Sequence, residues 1–180
     1  MQNIQSIAVF CGSKSGENKK FIVETKIIGK FLGTSQITLI YGGGKVGLMG
    51  AIANAVLETK GKVIGVIPKV LVEWEQQHNE LTELLVVDDM HVRKKMIYEK
   101  SDAAIILPGG NGTLDELFEM LTWNTLKIHE KKVFILNIDG FYDALILHFS
   151  KMQAENFLYE DWRQRIIICK DAEDFMQHFS

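Results

Sequence analysis

Short apolar runs alternate with longer amphipathic ones along the chain. Residues 7–11, 37–41, 63–67, 84–87, 103–107, 133–138 and 166–169 form mostly unbroken runs rich in Ile and Val. That is the pattern of strands buried on both faces of a parallel sheet. Between them, residues near 17–33, 47–60, 90–100, 113–127, 141–154 and 171–178 have the mixed spacing of helices with one apolar face. The alternation predicts an open doubly wound α/β sheet, mainly parallel, of about seven strands with helices on both faces. Residues 68–82, which include Trp74 and His78, are the least regular and read as a loop or short helix covering a site. No internal repeat, low-complexity stretch or linker interrupts the pattern, so one domain over 1–180 is expected.

Composition narrows the function classes. The 180 residues are 47% hydrophobic and 24% charged, an ordinary globular balance. A net charge of −3 disfavours nucleic acid binding through a general basic field. The uncharged run 31–44 is too short to span a bilayer and contains Thr34, Ser35 and Gln36. Residues 1–6 lack the basic residue of a secretory signal. The two cysteines, Cys11 and Cys169, make no disulfide framework and suit a reducing compartment. The expectation is a cytoplasmic protein with neither membrane nor nucleic acid as partner.

In open α/β sheets, ligands bind beyond the carboxyl ends of the strands, and three glycine-bearing turns lie there. Gly12-Ser13-Lys14-Ser15-Gly16 follows the first strand, Gly42-Gly43-Gly44-Lys45-Val46-Gly47 the second, and Pro108-Gly109-Gly110-Asn111-Gly112-Thr113 the run 103–107. Glycine admits a ligand close to backbone amides, and a following helix N-terminus favours an anion. Each turn alone is explained by tight strand-to-helix geometry; three together point to a phosphate-bearing ligand. The second turn has dinucleotide-fingerprint spacing at Gly42, Gly44 and Gly47. It follows the second strand, however, and Val66-Ile67-Pro68-Lys69 offers no acidic residue for a ribose. That disfavours an NAD-dependent oxidoreductase and favours a mononucleotide. Neither Gly44-Lys45 nor Gly61-Lys62 continues into the Ser or Thr of a P-loop, and Lys14 stands where a nucleophile elbow needs serine. The five histidines show no metal spacing, so no metal and no cofactor are expected.

Two charged segments are candidates for chemistry. Arg93, Lys94 and Lys95 lie near a helix start, where cations oppose the dipole. Either an anion offsets them, with Arg93 binding phosphate or holding a carboxylate, or they form a solvated face with Asp88 and Asp89 compensating as caps. Thr113-Leu114-Asp115-Glu116 has the form of a capping box, which would explain Glu116 structurally. The alternative is a carboxylate at the crevice mouth, with Glu119 one turn on. The same helix carries a wide apolar stripe, Leu114, Leu117, Phe118 and Leu121, broadened by Met120 and Trp123. It is buried deep in the core or packs on a second subunit.

Together these motifs resemble the LONELY GUY (LOG) family. Pro108-Gly109-Gly110-Asn111-Gly112-Thr113-Leu114-Asp115-Glu116 is similar to its PGGxGTxxE signature, and Met90-His91-Val92-Arg93-Lys94 to its MHxRK segment. Tyr41-Gly42-Gly43-Gly44 with Gly47-Leu48-Met49-Gly50, Val9-Phe10-Cys11-Gly12-Ser13, Val66-Ile67-Pro68 and Asn137-Ile138-Asp139-Gly140-Phe141-Tyr142 match it too. The resemblance implies a Rossmann-like fold and a metal-independent, usually dimeric, cytokinin riboside 5′-monophosphate phosphoribohydrolase, with related members acting on AMP. It implies a catalytic pair, Arg93 and Glu116. Substrate contacts would come from Gly12, Ser13, Gly42, Gly43, Gly44, Met90, Lys94, Pro108, Gly109, Gly110, Gly112 and Thr113. Trp74 or Met90 is expected near the base. Many members once carried the label lysine decarboxylase, but no lysine here has a recognisable pyridoxal phosphate context. The chain departs from the family at Lys14, often serine, and at Asn124-Thr125-Leu126-Lys127, where Gln and Gly are common. A non-catalytic nucleotide-binding or carrier module on the same fold is the alternative, since fold alone does not fix function.

Overall fold

The computed structural model describes residues 4–72 and 77–179. Seven strands form one sheet: β1 (Ser6–Phe10), β2 (Thr38–Tyr41), β3 (Val63–Pro68), β4 (Glu83–Val87), β5 (Ala103–Ile106), β6 (Val133–Leu136) and β7 (Ile166–Cys169). The helices are α1 (Lys19–Thr34), α2 (Gly47–Glu58), a one-turn α3 (Lys69–Val72), α4 (Met90–Lys100), α5 (Asn111–Thr125), α6 (Asp143–Ala154) and α7 (Ala172–Gln177). The strand order is β4-β3-β2-β1-β5-β6-β7. Every pairing is parallel, so the mainly parallel sheet of the sequence reading is wholly so.

Alternation along each strand sends side chains to two cores. Ile7, Val9, Leu39, Ile105 and Phe134 pack under α1, α2 and α7 through Ile28, Leu32, Ile52, Val56 and Phe175. Ala8, Phe10, Ile40, Ile106 and Ile135 pack under α4, α5 and α6 through Ile97, Tyr98, Leu117, Met120 and Phe149. This is the Rossmann-like arrangement, helices on both faces. One strand departs from the expectation of burial on both sides. β4 is an edge strand whose Val86 is exposed, because only β3 pairs with it.

Helix α4 carries the chain from that edge across the sheet to β5, which lies beside β1. The helix after β1 covers one face and the helix after β5 the other. β1 and β5 therefore flank a topological switch point, where the strand ends open a crevice. Among the described residues no helix is long and apolar enough to cross a membrane. Of the irregular segment 68–82, the short α3 and His78 are described, whereas Trp74 falls outside the described residues.

Candidate active site

The crevice opens at the carboxyl ends of β1, β2 and β5, with a volume of about 270 Å³. Its walls bring together Gly12, Ser13, Gly42, Arg93, Gly110, Gly112, Thr113 and Glu116, along with Val9, Phe10, Cys11, Met49 and Asn111. Of the other expected contacts, Pro108 and Gly109 line an adjoining hollow that shares Gly12 and Gly110 with the crevice. Gly43 and Gly44 stand behind the wall. The Gly43 carbonyl accepts from the His78 amide, and Gly44 bridges to Gln77. Met90 is partly exposed, its Sδ 3.7 Å from Arg93 Nη1.

The helix that carries Glu116 starts earlier than the capping-box pattern suggests. Its N-cap is Gly110, without a side-chain cap, and Asn111 and Gly112 already belong to the helix. Thr113 is its third residue and is buried, so it does not cap, and Glu116, a turn further in, has no N-cap to reach back to. The capping-box explanation of Glu116 is thereby overturned. The tight Pro108-Gly109 turn ends sooner than a Thr N-cap needs. It presses Gly109 so close to Thr113 that a Cβ there would collide with Thr113 Oγ1. In contrast, a Cβ on Gly110 or Gly112 would meet nothing within 4 Å. This helix start thus has no side-chain cap, and open space lies beside its glycines, the arrangement that accepts an anion.

Arg93 enters from the first turn of α4. It is 6% exposed, which overturns the solvated basic face. Its Nε donates to the Val66 carbonyl of β3 at 3.1 Å and its Nη2 to the Gly42 carbonyl just after β2 at 3.4 Å. Gly42 is required for this approach, since a Cβ there would collide with Arg93 Nη2. Asp89 caps α4 by accepting from the Val92 amide at 2.9 Å, as expected, whereas Asp88 pairs with Lys69 at 2.7 Å. Lys94 corrects the sequence reading. Rather than lining the crevice, its ammonium lies 2.6 Å from Asp115 and 2.7 Å from Glu119 on α5. Burial works against that ammonium, but its hydrogen bonds to both carboxylates outweigh it and raise its pKa. Glu119 is accordingly tied to Lys94 and is not a second carboxylate in the crevice.

Sequence reasoning missed two groups around this pair. Tyr98, on α4, donates to the backbone carbonyl of Glu116 at 3.1 Å. Together with Lys94 it fastens α4 to α5 and fixes the turn that presents Glu116. Burial, then the carboxylates of Glu119, Glu116 and Asp115, push its phenol well above the ordinary range, with Arg93 opposing. Glu116 and Arg93 are thus both close enough for Tyr98 to sense. Cys11 ends the β1 run on the crevice floor. Burial, then Glu116, push its thiol far up, so it stays protonated. Its place immediately before Gly12 was the available signal. Among the described residues, no group of three or more His, Cys, Asp or Glu is placed to hold a metal ion.

A family described as "possible lysine decarboxylase" matches residues 49–179. The chain is 46% identical over 171 residues to the probable cytokinin riboside 5′-monophosphate phosphoribohydrolase LOGL1 of Oryza sativa subsp. japonica, covering 95% of this chain and 77% of the relative. It is 43% identical over 170 residues to the cytokinin riboside 5′-monophosphate phosphoribohydrolase of Rhodococcoides fascians, covering 94% and 86%. Among solved structures, the molybdenum cofactor carrier protein of Chlamydomonas reinhardtii shares 19% identity at a TM-score of 0.75, over 98% of this chain and 96% of that one. At that identity the likeness shows the fold alone.

Proposed function

Because the chain belongs to the LONELY GUY (LOG) family of cytokinin riboside 5′-monophosphate phosphoribohydrolases, we propose that its crevice hydrolyses the N-glycosidic bond of N6-substituted or plain adenosine 5′-monophosphate. Water is consumed, and the free base and ribose 5-phosphate are released. The observation that carries this reading is the convergence of Arg93 and Glu116, from two different helices, on a crevice that opens at the uncapped start of α5.

The 5′-phosphate docks on the amides of residues 110–113, where the helix start favours negative charge. Gly12 and Ser13 close the opposite side. Glu116 lies about one turn, roughly 5 Å, further along the helix, which places its carboxylate near the ribose when the phosphate is seated. Cleavage builds positive charge on that ribose, as in an oxocarbenium ion. Glu116 stabilises the charge and orients the attacking water. Arg93, anchored on two backbone carbonyls, holds the carboxylate end of the site. The neutral Cys11 thiol beside Glu116 adds no competing charge.

The direct test follows base release from AMP and from isopentenyladenosine monophosphate by chromatography, with each nucleoside run in parallel. Release from the phosphorylated forms alone is expected. Retention of nucleotide without release would favour the non-catalytic binding module.

A homodimer of this single domain, residues 1–180, completes the reading. The α5 stripe divides in the structure. Leu117 and Met120 lie wholly in the core, whereas Phe118 is partly exposed. Phe118 borders an apolar groove with Leu121, Phe149, Met152, Phe157 and Tyr159. Phe157 is 78% exposed and Tyr159 95%, apolar surface of the kind that marks an interface. A second copy of the chain covers this groove. Sedimentation at micromolar concentration is expected to give twice the monomer mass, and a monomer would refute the pairing. Two buried free thiols are compatible with a reducing cytoplasm.

A further inference from the structure

The segment Asn137-Ile138-Asp139-Gly140-Phe141-Tyr142 follows β6 and does not itself line the crevice, yet its fold is closely specified. Asp139 and Gly140 both take left-handed φ, +52° and +74°. A Cβ on Gly140 would meet the Asp143 carboxylate at 2.6 Å. Asn137 secures the turn from within. Its Oδ1 accepts from the Tyr142 amide and its Nδ2 donates to Asp143, each at 2.7 Å. The result is a tight reversal that sends the Tyr142 ring back beneath the turn after β5.

There the Tyr142 hydroxyl, 3% exposed as a residue, donates to the Leu107 carbonyl at 2.7 Å. The Gly109 amide lies close to the same hydroxyl. These two groups bracket Pro108, at the root of the turn that leads into residues 110–113. The same segment reaches the start of α1, just past the first glycine turn, since Asp139 accepts from Asn18 and Lys20 there at 2.8 and 2.6 Å. Those contacts are exposed and weak; the buried phenol is the strong one.

We propose that Tyr142 is a positioning residue for the phosphate-binding turn, acting through one buried hydroxyl that holds Leu107 at the root of that turn. This deepens the phosphoribohydrolase reading and rests on it for its kinetic consequence. Backbone amides bind an anion well when they are held ready before it arrives. Burial, followed by the nearby Cys11, keeps the phenol protonated, so it donates at any ordinary pH.

Tyr142→Phe removes the hydroxyl and keeps the ring. The expected result is a KM for AMP raised about tenfold, with kcat little changed, as for a binding loss near the size of a lost hydrogen bond. Amide hydrogen exchange over residues 107–113 should accelerate, and the melting temperature should fall only by the few degrees that one unpaired buried carbonyl costs. Unchanged KM with unchanged exchange overturns the proposal. So does a joint fall in melting temperature and kcat at constant KM, which is what general loosening of the core produces. Should the wild-type protein leave AMP intact, only the hydrolase reading fails. The exchange comparison and the affinity for AMP, measured by calorimetry on both proteins, still decide the role of Tyr142.

Discussion

Replacing Glu116 by Gln is expected to lower kcat by about 10³-fold, within the range for losing a positioned carboxylate, while nucleotide affinity stays within a few-fold. The side chain sits on the crevice wall, a turn inside α5. The contact from Tyr98 that fixes this turn is made to the backbone carbonyl of Glu116, so the substitution leaves it intact. The helix start does not depend on Glu116 either, because Gly110 is its N-cap. The melting temperature should therefore fall by no more than a few degrees, the scale of losing one side-chain contact on the site wall. Steady-state kinetics with AMP, calorimetric affinity and a thermal melt measure the three quantities. Turnover within tenfold of wild type would remove Glu116 from the mechanism. A large drop in melting temperature with intact specific activity would restore a structural role to it.

Arg93→Ala should reduce kcat/KM by about 10²-fold or more, a scale consistent with losing a group that orients the reacting site. It should also destabilise the fold, unlike the change at Glu116. The guanidinium satisfies the carbonyls of Val66 and Gly42, and leaving such buried acceptors unpaired costs about 1–3 kcal/mol. For a chain of this size each kcal/mol lowers the melting temperature by about 2–4 °C. Arg93→Lys keeps the charge but cannot span two carbonyls and the crevice with one ammonium, so it should recover little activity. Near-normal kinetics in either variant would exclude Arg93. A rise confined to KM would assign it to the phosphate and not to the carboxylate end of the site.

The strands and helices were legible because their signals are local. The run 103–107 reads as a strand from five consecutive side chains, and Ala103–Ile106 is one. Residues 90–100 read as a helix, and α4 has those bounds. The failures were also local in origin. The pattern Thr113-x-x-Glu116 suits a helix start in isolation, but the preceding Pro-Gly turn begins the helix at Asn111. The run 84–87 looks buried, yet its exposure is set by its place at the sheet edge. Lys94 and Arg93 are adjacent in a basic cluster, and the helical rotation between neighbours sends one to α5 and the other to the crevice.

By itself, then, the sequence determined the α/β alternation, the three glycine turns after strands and the family to which they belong, all carried by residues within a few positions of one another. Tertiary structure decided which of the named groups meet in the crevice and which contacts hold them there. Arg93 meets carbonyls 27 and 51 residues away, and Tyr142 meets one 35 residues away. Such contacts follow from the order in which strands lie in the sheet. That order is fixed by the packing of the whole core, which no short stretch of chain encodes.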